Sequence, residues 1–417
     1  MLIWLSLAIV VLTFALIIKK YETRLVLSIS GLAMALLGGN VGFAVTEFVK
    51  TMTGSVVPTI CTVLGFSYVM AYTKCSDHLV VFLTNCLKKV PFVIIPATVV
   101  VTWLLSIALP SAAGIAAAVG ALLIPTLLAM GVKPAMAASA VYLGTWGNVI
   151  SPGMALNPLL ADIAQCDVMT VIARIVPSSF MGLAAATIAL TAICAIFKEG
   201  VGSTRPSGKE VTSPDFHVNY LYALIPVIPL VILILGSKQV ALIPYIGVPE
   251  SMLIGTVLGM IVTRTNFAEA VKKFFKGTGD GYCDVIGLMC AAAMFCGGMK
   301  VIGLTGFLVE VMKNSQALAQ LTAAAGPFAM AMVSGSGNAA SLAFYGSVVP
   351  HAPAMGYGII ELGSVAQIAA GLGRTMSPVA AATIICAKFA GISPMEIAKR
   401  NAVPTLAALA VITLVLL

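Results

Sequence analysis

The sequence predicts an all-α polytopic membrane protein with two inverted-topology repeats, about ten transmembrane helices, two re-entrant hairpins and two broken helices. Of its 417 residues, 60% are hydrophobic and only 9% are charged, whereas soluble domains carry about 25% charged residues. The mean hydropathy is +1.07, and several apolar runs approach the roughly 20 residues that span a bilayer as a helix. Short motifs also recur at a nearly constant offset on either side of a central polar stretch. These observations exclude a soluble globular domain.

The apolar runs follow one another along the whole chain, and Lys and Arg are concentrated in the short stretches between them. This distribution is typical of cytoplasmic loops, so the net charge of +8 indicates membrane topology rather than nucleic-acid binding. The runs cover residues 2–18, 25–45, 56–72, 92–109, 115–130, 135–164, 170–197, 219–236, 249–263, 283–301, 317–333, 339–350, 357–390 and 402–417.

An internal repeat relates the two halves of the chain. The hexapeptide GNVISP at 147–152 matches GRTMSP at 373–378. Four single-residue matches keep nearly the same offset as the hexapeptides, namely Ser111 with Ser336, Pro125 with Pro350, Met169 with Met395 and Pro177 with Pro404. A nearly constant offset over more than sixty residues indicates a duplicated unit.

The repeat divides the chain around the charged, Gly-, Ser- and Pro-rich linker 198–218, which we expect in the cytoplasm. In the first repeat, 1–197, we predict scaffold helices over 1–90, a hairpin over 92–130, a broken helix over 135–164 and a helix over 170–197. In the second repeat, 219–417, we predict scaffold helices over 219–301, a hairpin over 317–350, a broken helix over 357–390 and a helix over 402–417.

Counting the hairpins as re-entrant leaves five full spans in each half. Because five is an odd number, the two halves lie upside down to each other in the membrane. With both termini outside, 17 Lys and Arg fall on the inside and 5 on the outside. This asymmetry agrees with the positive-inside rule and predicts that both termini lie outside. We expect the membrane to be the bacterial inner membrane, so that the termini would be periplasmic.

The two hairpins are predicted from their tips, 110–114 (PSAAG) and 334–338 (SGSGN). Both tips are small and uncharged, which suits non-helical backbone that lies at membrane depth inside the protein. Four full crossings would leave the orientation of the halves unchanged, so charge counting leaves that alternative open.

The Gly-x-x-x-Ser-Pro motifs predict the two helix breaks. Pro removes a helical N–H and clashes with the preceding turn, while Gly frees the backbone. A break strands carbonyl groups, which coordinate cations, on one half-helix and N–H groups, which attract anions, on the other. Paired breaks in two inverted halves indicate the midplane site of a transporter, and a proline kink with only a packing role is the alternative.

Arg374 is the most informative single residue of the second motif. It lies within a long apolar segment, where an unpaired cation costs several kcal/mol, and its guanidinium suits a carboxylate bidentately. A structural pair with Glu361 is the alternative, but the two residues would lie roughly 20 Å apart along an unbroken helix. We therefore predict anion binding at Arg374, whose repeat mate is the neutral Asn148.

Other small and polar residues near the tips and breaks are candidates for binding the substrate or for ligating Na⁺. Their side chains or backbone N–H groups can meet a carboxylate, or they can satisfy the protein's own backbone. The candidates are Ser111, Ala112, Ala113, Gly114, Asn148, Ser151, Asn157, Ser334, Ser336, Gly337, Asn338, Thr375 and Ser377. No cofactor is expected; if transport is coupled to Na⁺, these residues place the ion near Ser111, Asn148, Ser336, Asn338 and Thr375.

Two other functions remain open from the residues alone. A Na⁺/H⁺-type antiporter would share the fold, but the scarcity of buried acids disfavours it. The sequence GTGD at 277–280 resembles a motif of intramembrane aspartyl proteases, which need a second aspartate facing the first. Asp280 follows a Lys-rich amphipathic stretch instead, so we do not expect an enzyme.

The segments 334–338, 373–378, 392–400 and 403–404 resemble the DcuC family of anaerobic C4-dicarboxylate transporters, in the superfamily of the divalent anion/sodium symporters. The resemblance implies a scaffold domain and a moving transport domain with elevator-type alternating access. It also implies a homodimer and a substrate of the succinate, fumarate and malate class. Transport would proceed by exchange or with a coupling cation.

Overall fold

The protein folds into helices throughout the part of the chain that the structure describes, and no strand occurs there. The computed structural model describes residues 2–19, 21–87, 93–109, 111–204, 217–238, 240–313 and 316–417. Pro110 of the first predicted tip, residues 88–92 and residues 205–216 of the linker lie outside these ranges.

The described part of the first half contains ten α-helices. They are α1 Leu2–Ile18, α2 Thr23–Leu37, α3 Val41–Met52, α4 Val57–Tyr72, α5 Cys75–Leu87, α6 Ile94–Ala108, α7 Ala112–Ala129, α8 Pro134–Gly144, α9 Leu156–Ile163 and α10 Val168–Ile196. A 3₁₀ helix, Thr145–Ile150, continues α8 and ends before α9 begins.

The second half, within the ranges given above, contains eleven α-helices. They are α11 Tyr220–Leu224, α12 Ile228–Leu235, α13 Val248–Thr263, α14 Phe267–Gly281, α15 Gly287–Val301, α16 Leu304–Lys313, α17 Gln316–Ser334, α18 Gly337–Ser347, α19 Ile359–Thr375, α20 Ala381–Ala390 and α21 Pro394–Leu416. The segments Ile225–Val227 and Val349–Met355 are 3₁₀ helices, and the π-helical segment Tyr282–Ile286 joins α14 to α15.

Some helix boundaries differ from the predicted apolar runs. The run 25–45 is divided between α2 and α3, because Gly39 has a φ of +80° and the Asn40 side chain accepts a hydrogen bond from the backbone N–H of Phe43. Helices α5 and α16 occupy stretches with no predicted run, and α21 begins at Pro394, well before the predicted start at 402.

Among the described residues, four helices are long and apolar enough to span a membrane by length and composition. They are Ala112–Ala129, Val168–Ile196, the continuous Phe267–Val301 and Pro394–Leu416, and the bent pair α3 and α4 adds a fifth. Seven further apolar helices have 10–17 residues. The protein is a multi-pass membrane protein, while about ten spans stay a prediction.

Corresponding helices of the two halves begin at a constant separation along the chain. Helices α7, α8 and α9 begin at Ala112, Pro134 and Leu156, and their counterparts α18, α19 and α20 begin at Gly337, Ile359 and Ala381. The packing also corresponds, because α8 packs on α6 as α19 packs on α17. The largest apolar core joins these helices to α10 and α21.

The glycines of the two hexapeptide motifs allow close backbone packing. A Cβ on Gly147 would lie well inside 3.0 Å of the carbonyl oxygen of Trp103 on α6, and one on Gly373 would meet the carbonyl oxygen of Phe328 on α17. Neither glycine has a positive φ. These glycines therefore allow each broken helix to pack closely against the first arm of its hairpin. The sequence-based expectation that they free the backbone is wrong.

The beginning of the linker is fixed to the core by ion pairs. The Arg400 guanidinium donates to both carboxylate oxygens of Glu199, at 2.8 and 2.7 Å. Glu199 is 4% exposed, and the hydrogen bonds from Arg400 hold the pKa of its carboxyl below the ordinary value of 4.5. This contact ties the end of the first half to α21.

Replacing Gly373 with Ala should destabilise the protein, because the new Cβ must displace the backbone of α17. Overpacking of this kind costs about 1–3 kcal/mol. We expect a lower midpoint for the heat-induced loss of the monodisperse peak on size-exclusion chromatography. Gly371→Ala is the matched control, since its Cβ would meet Val149 Cγ1 at an ordinary 3.4 Å. Equal midpoints for the two variants would contradict this packing role.

The pair formed by Glu199 and Arg400 should give a pH-dependent contribution to stability. Because the folded-state pKa of Glu199 is lowered, the contribution is complete above the unfolded-state value near 4.5 and is lost as the pH falls through the folded-state value. The thermal midpoint of Glu199→Gln should therefore lie below that of the unmodified protein at pH 7, with a gap that narrows below pH 4.5. A gap that is constant with pH would contradict this assignment.

Candidate functional site

A cavity of about 290 Å³ lies where the two hairpin tips meet the two helix breaks. Its volume is at the lower end of the roughly 300–1,000 Å³ typical of small-molecule sites, which suits a metabolite of a few carbon atoms. Its walls come from both halves of the chain. They are formed by Ser111, Ala112, Ala113, Asn148, Val149, Met154, Leu156, Gly335, Ser336, Gly337, Asn338, Ser341, Gln367, Gly371, Arg374, Ala380, Ala381 and Ala382.

Three helices begin at this cavity. In α7, α18 and α20, the capping residue and the first two helical residues all line it. The first N–H groups of a helix have no partner within the helix and carry the positive end of its dipole. Three such ends around one cavity form an anion-binding environment.

The caps of these helices differ. The hydroxyl of Ser111 accepts from the backbone N–H of Gly114 at 3.2 Å, and that of Ser336 accepts from Ala339 at 3.3 Å. Helix α20 begins after Ala380, which provides no side-chain cap. The side-chain caps use an N–H of the third helical residue, so they leave the first two N–H groups of α7 and α18 for a ligand.

Arg374 lies in the last turn of α19 and is the one ionised side chain among the described residues that line the cavity. Its Nη2 donates to the carbonyl oxygen of Thr145 at 3.2 Å. The Glu361 carboxylate instead pairs with Arg174 at 2.7 Å, and no acidic side chain pairs with Arg374 in the part of the chain that the structure describes. The guanidinium is therefore a half-buried cation without a carboxylate partner.

A network of buried amides adjoins the cavity, and one of its members, Gln367, lines the cavity wall. Asn157 Nδ2 donates to the carbonyl oxygens of Val149 and Ser151, both at 2.8 Å. Gln367 Nε2 donates to Val149 O at 3.1 Å and to Asn157 Oδ1 at 2.8 Å. The Tyr345 hydroxyl donates to Gln367 Oε1 at 2.8 Å. The network joins the first break to α18 and α19.

The structure brings together eight of the residues that the sequence predicts for the site. These are Ser111, Ala112, Ala113, Asn148, Ser336, Gly337, Asn338 and Arg374. The side chain of Asn148 lies 3.6 Å from the sulfur of Met154, which also lines the cavity.

The other six predicted residues do not line the cavity. They are Gly114, Ser151, Asn157, Ser334, Thr375 and Ser377. Four of them bond to nearby backbone: Ser151 Oγ accepts from Gly153 N–H, Ser334 Oγ from Ser336 N–H and Ser377 Oγ from Val379 N–H, and the Thr375 hydroxyl donates to Leu372 O. They stabilise the tips and breaks, as small hydroxyl residues do when they satisfy local backbone.

Sequence reasoning missed several residues that line the cavity. Gln367 precedes Arg374 by two helical turns, which places both on one face of α19, and a lone amide in an apolar run is the signal that could have identified it. The residues Ala380 to Ala382 have inert side chains and contribute backbone N–H groups. The signal that could have identified them in the sequence is their position directly after the Ser-Pro break.

Asp280, the acidic residue of the GTGD segment, is not among the residues that line the cavity. Asp280 Oδ2 accepts a hydrogen bond from the Tyr68 hydroxyl at 2.6 Å. Asp284 follows four residues later in the same continuous helix and is exposed. Two aspartates on one helix are not the opposed pair that the protease alternative needs.

The family model of the C4-dicarboxylate anaerobic carriers, DcuC, matches residues 37–417. A transporter of Haemophilus influenzae described as uncharacterized is 36% identical over 264 residues, which are 61% of this chain and 95% of that protein. The anaerobic C4-dicarboxylate transporter DcuC of Escherichia coli K12 is 26% identical over an alignment covering 95% of this chain and 92% of its own.

The fold resembles that of the YdaH transporter of Alcanivorax borkumensis. The TM-score is 0.60 at 15% identity, over 89% of this chain and 86% of the other. The family and the relatives are transporters, so the protein is a membrane transporter rather than an enzyme. By the match over most of its length, the chain belongs to the DcuC family of C4-dicarboxylate anaerobic carriers.

Proposed function

We propose that the protein is a secondary active transporter of small organic anions, C4-dicarboxylates of the succinate, fumarate and malate class. The observation that carries this proposal is the convergence of three helix N-termini and one guanidinium without an acidic partner on a single small cavity. The relatives named C4-dicarboxylate transporters support the choice of substrate. A Na⁺/H⁺-type antiporter needs an ionisable acid at its site, and the described lining residues include none.

The two ends of a dicarboxylate would meet different groups. One carboxylate would take two parallel hydrogen bonds from Arg374. The other would lie at the N-termini of α7, α18 and α20, where backbone N–H groups and the helix dipoles favour negative charge. A monocarboxylate would satisfy only one of these places, so the proposal favours substrates with two charges.

The motion proposed for transport is an elevator-type displacement of a transport domain against a scaffold. The transport domain would comprise the two hairpins, α6 with α7 and α17 with α18, and the two broken helices with α10 and α21. The constant separation of helix starts supports a repeat of the hairpin and broken helix in the two halves, and the meeting of both tips at one cavity supports hairpins that enter from opposite sides. We also propose a homodimer in the bacterial inner membrane with both termini in the periplasm.

Arg374→Ala should abolish carboxylate counterflow in proteoliposomes while the protein still reaches the membrane. A hydrogen bond to a charged group contributes about 1.5–3 kcal/mol, and Arg374 is proposed to provide two. Arg374→Lys keeps the charge but loses the bidentate fork, so it should retain part of the activity. A panel of labelled mono- and dicarboxylates provides the measurement.

Lys50→Ala is the control for these variants, because Lys50 is an exposed residue that pairs with Glu47. It should transport as the unmodified protein does. Normal uptake by Arg374→Ala would contradict the proposed role of the guanidinium.

Ala381→Pro tests the N-terminus of α20 without removing a side chain that binds. Pro is favoured at the first helical position and lacks the N–H group, and Ala380 already has the extended backbone, with ψ 141°, that precedes a proline. We expect a normal fold and a KM for dicarboxylate raised roughly 10- to 100-fold, as for the loss of one charge-assisted bond.

Phe267→Pro makes the same change at the first residue of α14, outside the residues that line the cavity. The cap of that helix, Asn266, bonds the N–H groups of Ala268 and Glu269, which the variant keeps. Its KM should be unchanged. If both proline variants transported with the same KM, the N–H groups of α20 would have no part in binding.

A further inference from the structure

Several carbonyl groups at the two helix breaks accept hydrogen bonds from side chains of the protein. Coupling to Na⁺ is one of the two modes of transport that the sequence leaves open, and stranded carbonyl oxygens are the expected ligands for such an ion. In this protein, N–H and O–H groups of side chains already point at these oxygens. The donor set at the breaks therefore does not fit a bound Na⁺.

At the first break, buried amides occupy the carbonyls. Val149 O accepts from both Asn157 Nδ2 at 2.8 Å and Gln367 Nε2 at 3.1 Å, and Ser151 O accepts from Asn157 Nδ2 at 2.8 Å. Asn157 is 0% exposed and Gln367 is 2% exposed. An amide flipped end for end would set its oxygen against these carbonyl oxygens, so the network determines which amide atoms are the donors.

At the second break, side-chain donors also bond the carbonyl oxygens, but they belong to different residues. Asn401 Nδ2 on α21 donates to Thr375 O at 3.0 Å, and the Thr383 hydroxyl donates to Ser377 O at 2.6 Å. The Tyr142 hydroxyl donates to the carbonyl oxygen of Arg374. Asn401, like Asn157, is 0% exposed. At both breaks, carbonyl oxygens thus accept hydrogen bonds from the protein's own side chains.

The positive charge of Arg374 is a second, electrostatic reason why the breaks do not suit a bound Na⁺. Its guanidinium bonds Thr145 O, a carbonyl of the 3₁₀ segment beside the first break. A second cation nearby would be repelled in surroundings of low dielectric constant, and the positive charge already complements the C-terminal end of α19.

We propose that the amides of Asn157, Gln367 and Asn401 take the place of a coupling cation at the two helix breaks, so that carboxylate binding and exchange need no Na⁺. This inference rests on the proposed function for its consequence in transport. The amides are positioning residues, because they hold the broken helices in the binding geometry through the carbonyl groups that they bond.

The first experiment compares the unmodified protein in NaCl and in KCl of equal concentration. A ligand that binds the folded state alone raises its stability, so a bound Na⁺ would raise the thermal midpoint on size-exclusion chromatography. We expect equal midpoints in the two salts. A higher midpoint in NaCl would overturn the inference, and this measurement needs no transport activity.

The second experiment is dicarboxylate counterflow in proteoliposomes, with Na⁺ replaced by K⁺ on both sides. We expect an unchanged initial rate, whereas coupling to Na⁺ should lower the rate at least about fivefold. Loss of counterflow only without Na⁺ would overturn the inference. Absence of counterflow in both salts would contradict the proposed function, and the salt comparison of stability would still decide the question of Na⁺.

The third experiment introduces a cation site. Asn157→Asp places a carboxylate oxygen against Val149 O or Ser151 O, and a Na⁺ ion can bridge those oxygens. We expect its thermal midpoint and its counterflow to become dependent on Na⁺. Asn266→Asp is the matched control, because Asp caps α14 as well as Asn does, and it should respond to neither salt. A folded Asn157→Asp protein that is equally stable in both salts would contradict the replacement of a cation by the amide.

Discussion

The architecture depends on one constraint, which is that backbone groups freed by a helix break inside a membrane protein must find partners within the protein. Water cannot satisfy them in the hydrocarbon region, and each unsatisfied group costs several kcal/mol. In this protein, the freed carbonyl groups and the freed N–H groups have different partners. Carbonyl oxygens at the breaks are bonded by Asn157, Gln367 and Asn401, while N–H groups at the starts of three helices face the cavity. That division makes the cavity receptive to anions.

The framework of the site is nearly symmetric, but its charge is not. Corresponding helices begin at a constant separation along the chain, and both motif glycines pack against the carbonyl of a hairpin arm. At one break the motif carries Arg374, and at the other it carries Asn148, which is 7% exposed. The two halves thus provide matching helix ends at the cavity, and one side-chain difference supplies the positive charge.

Much of the candidate site could be predicted from the sequence because charged or small polar residues are unusual within apolar runs. Arg374 stands out in an apolar run, and the small tips around Ser111 and Ser336 stand out by their composition. Backbone donors such as those of Ala381 carry no side-chain signal, and the role of Gln367 depends on a partner, Asn157, that lies in the other half of the chain. Boundaries such as the separation of α2 from α3 follow from local capping at Asn40, which an apolar pattern does not register.

Several hydrogen bonds cross from one half of the chain to the other at the breaks. Arg374 bonds Thr145, Tyr142 bonds Arg374, and Gln367 bonds both Val149 and Asn157. A rocking of one half against the other would break these bonds. The elevator-type displacement proposed above would instead keep the two breaks and their hydrogen bonds together while a bound molecule changes sides.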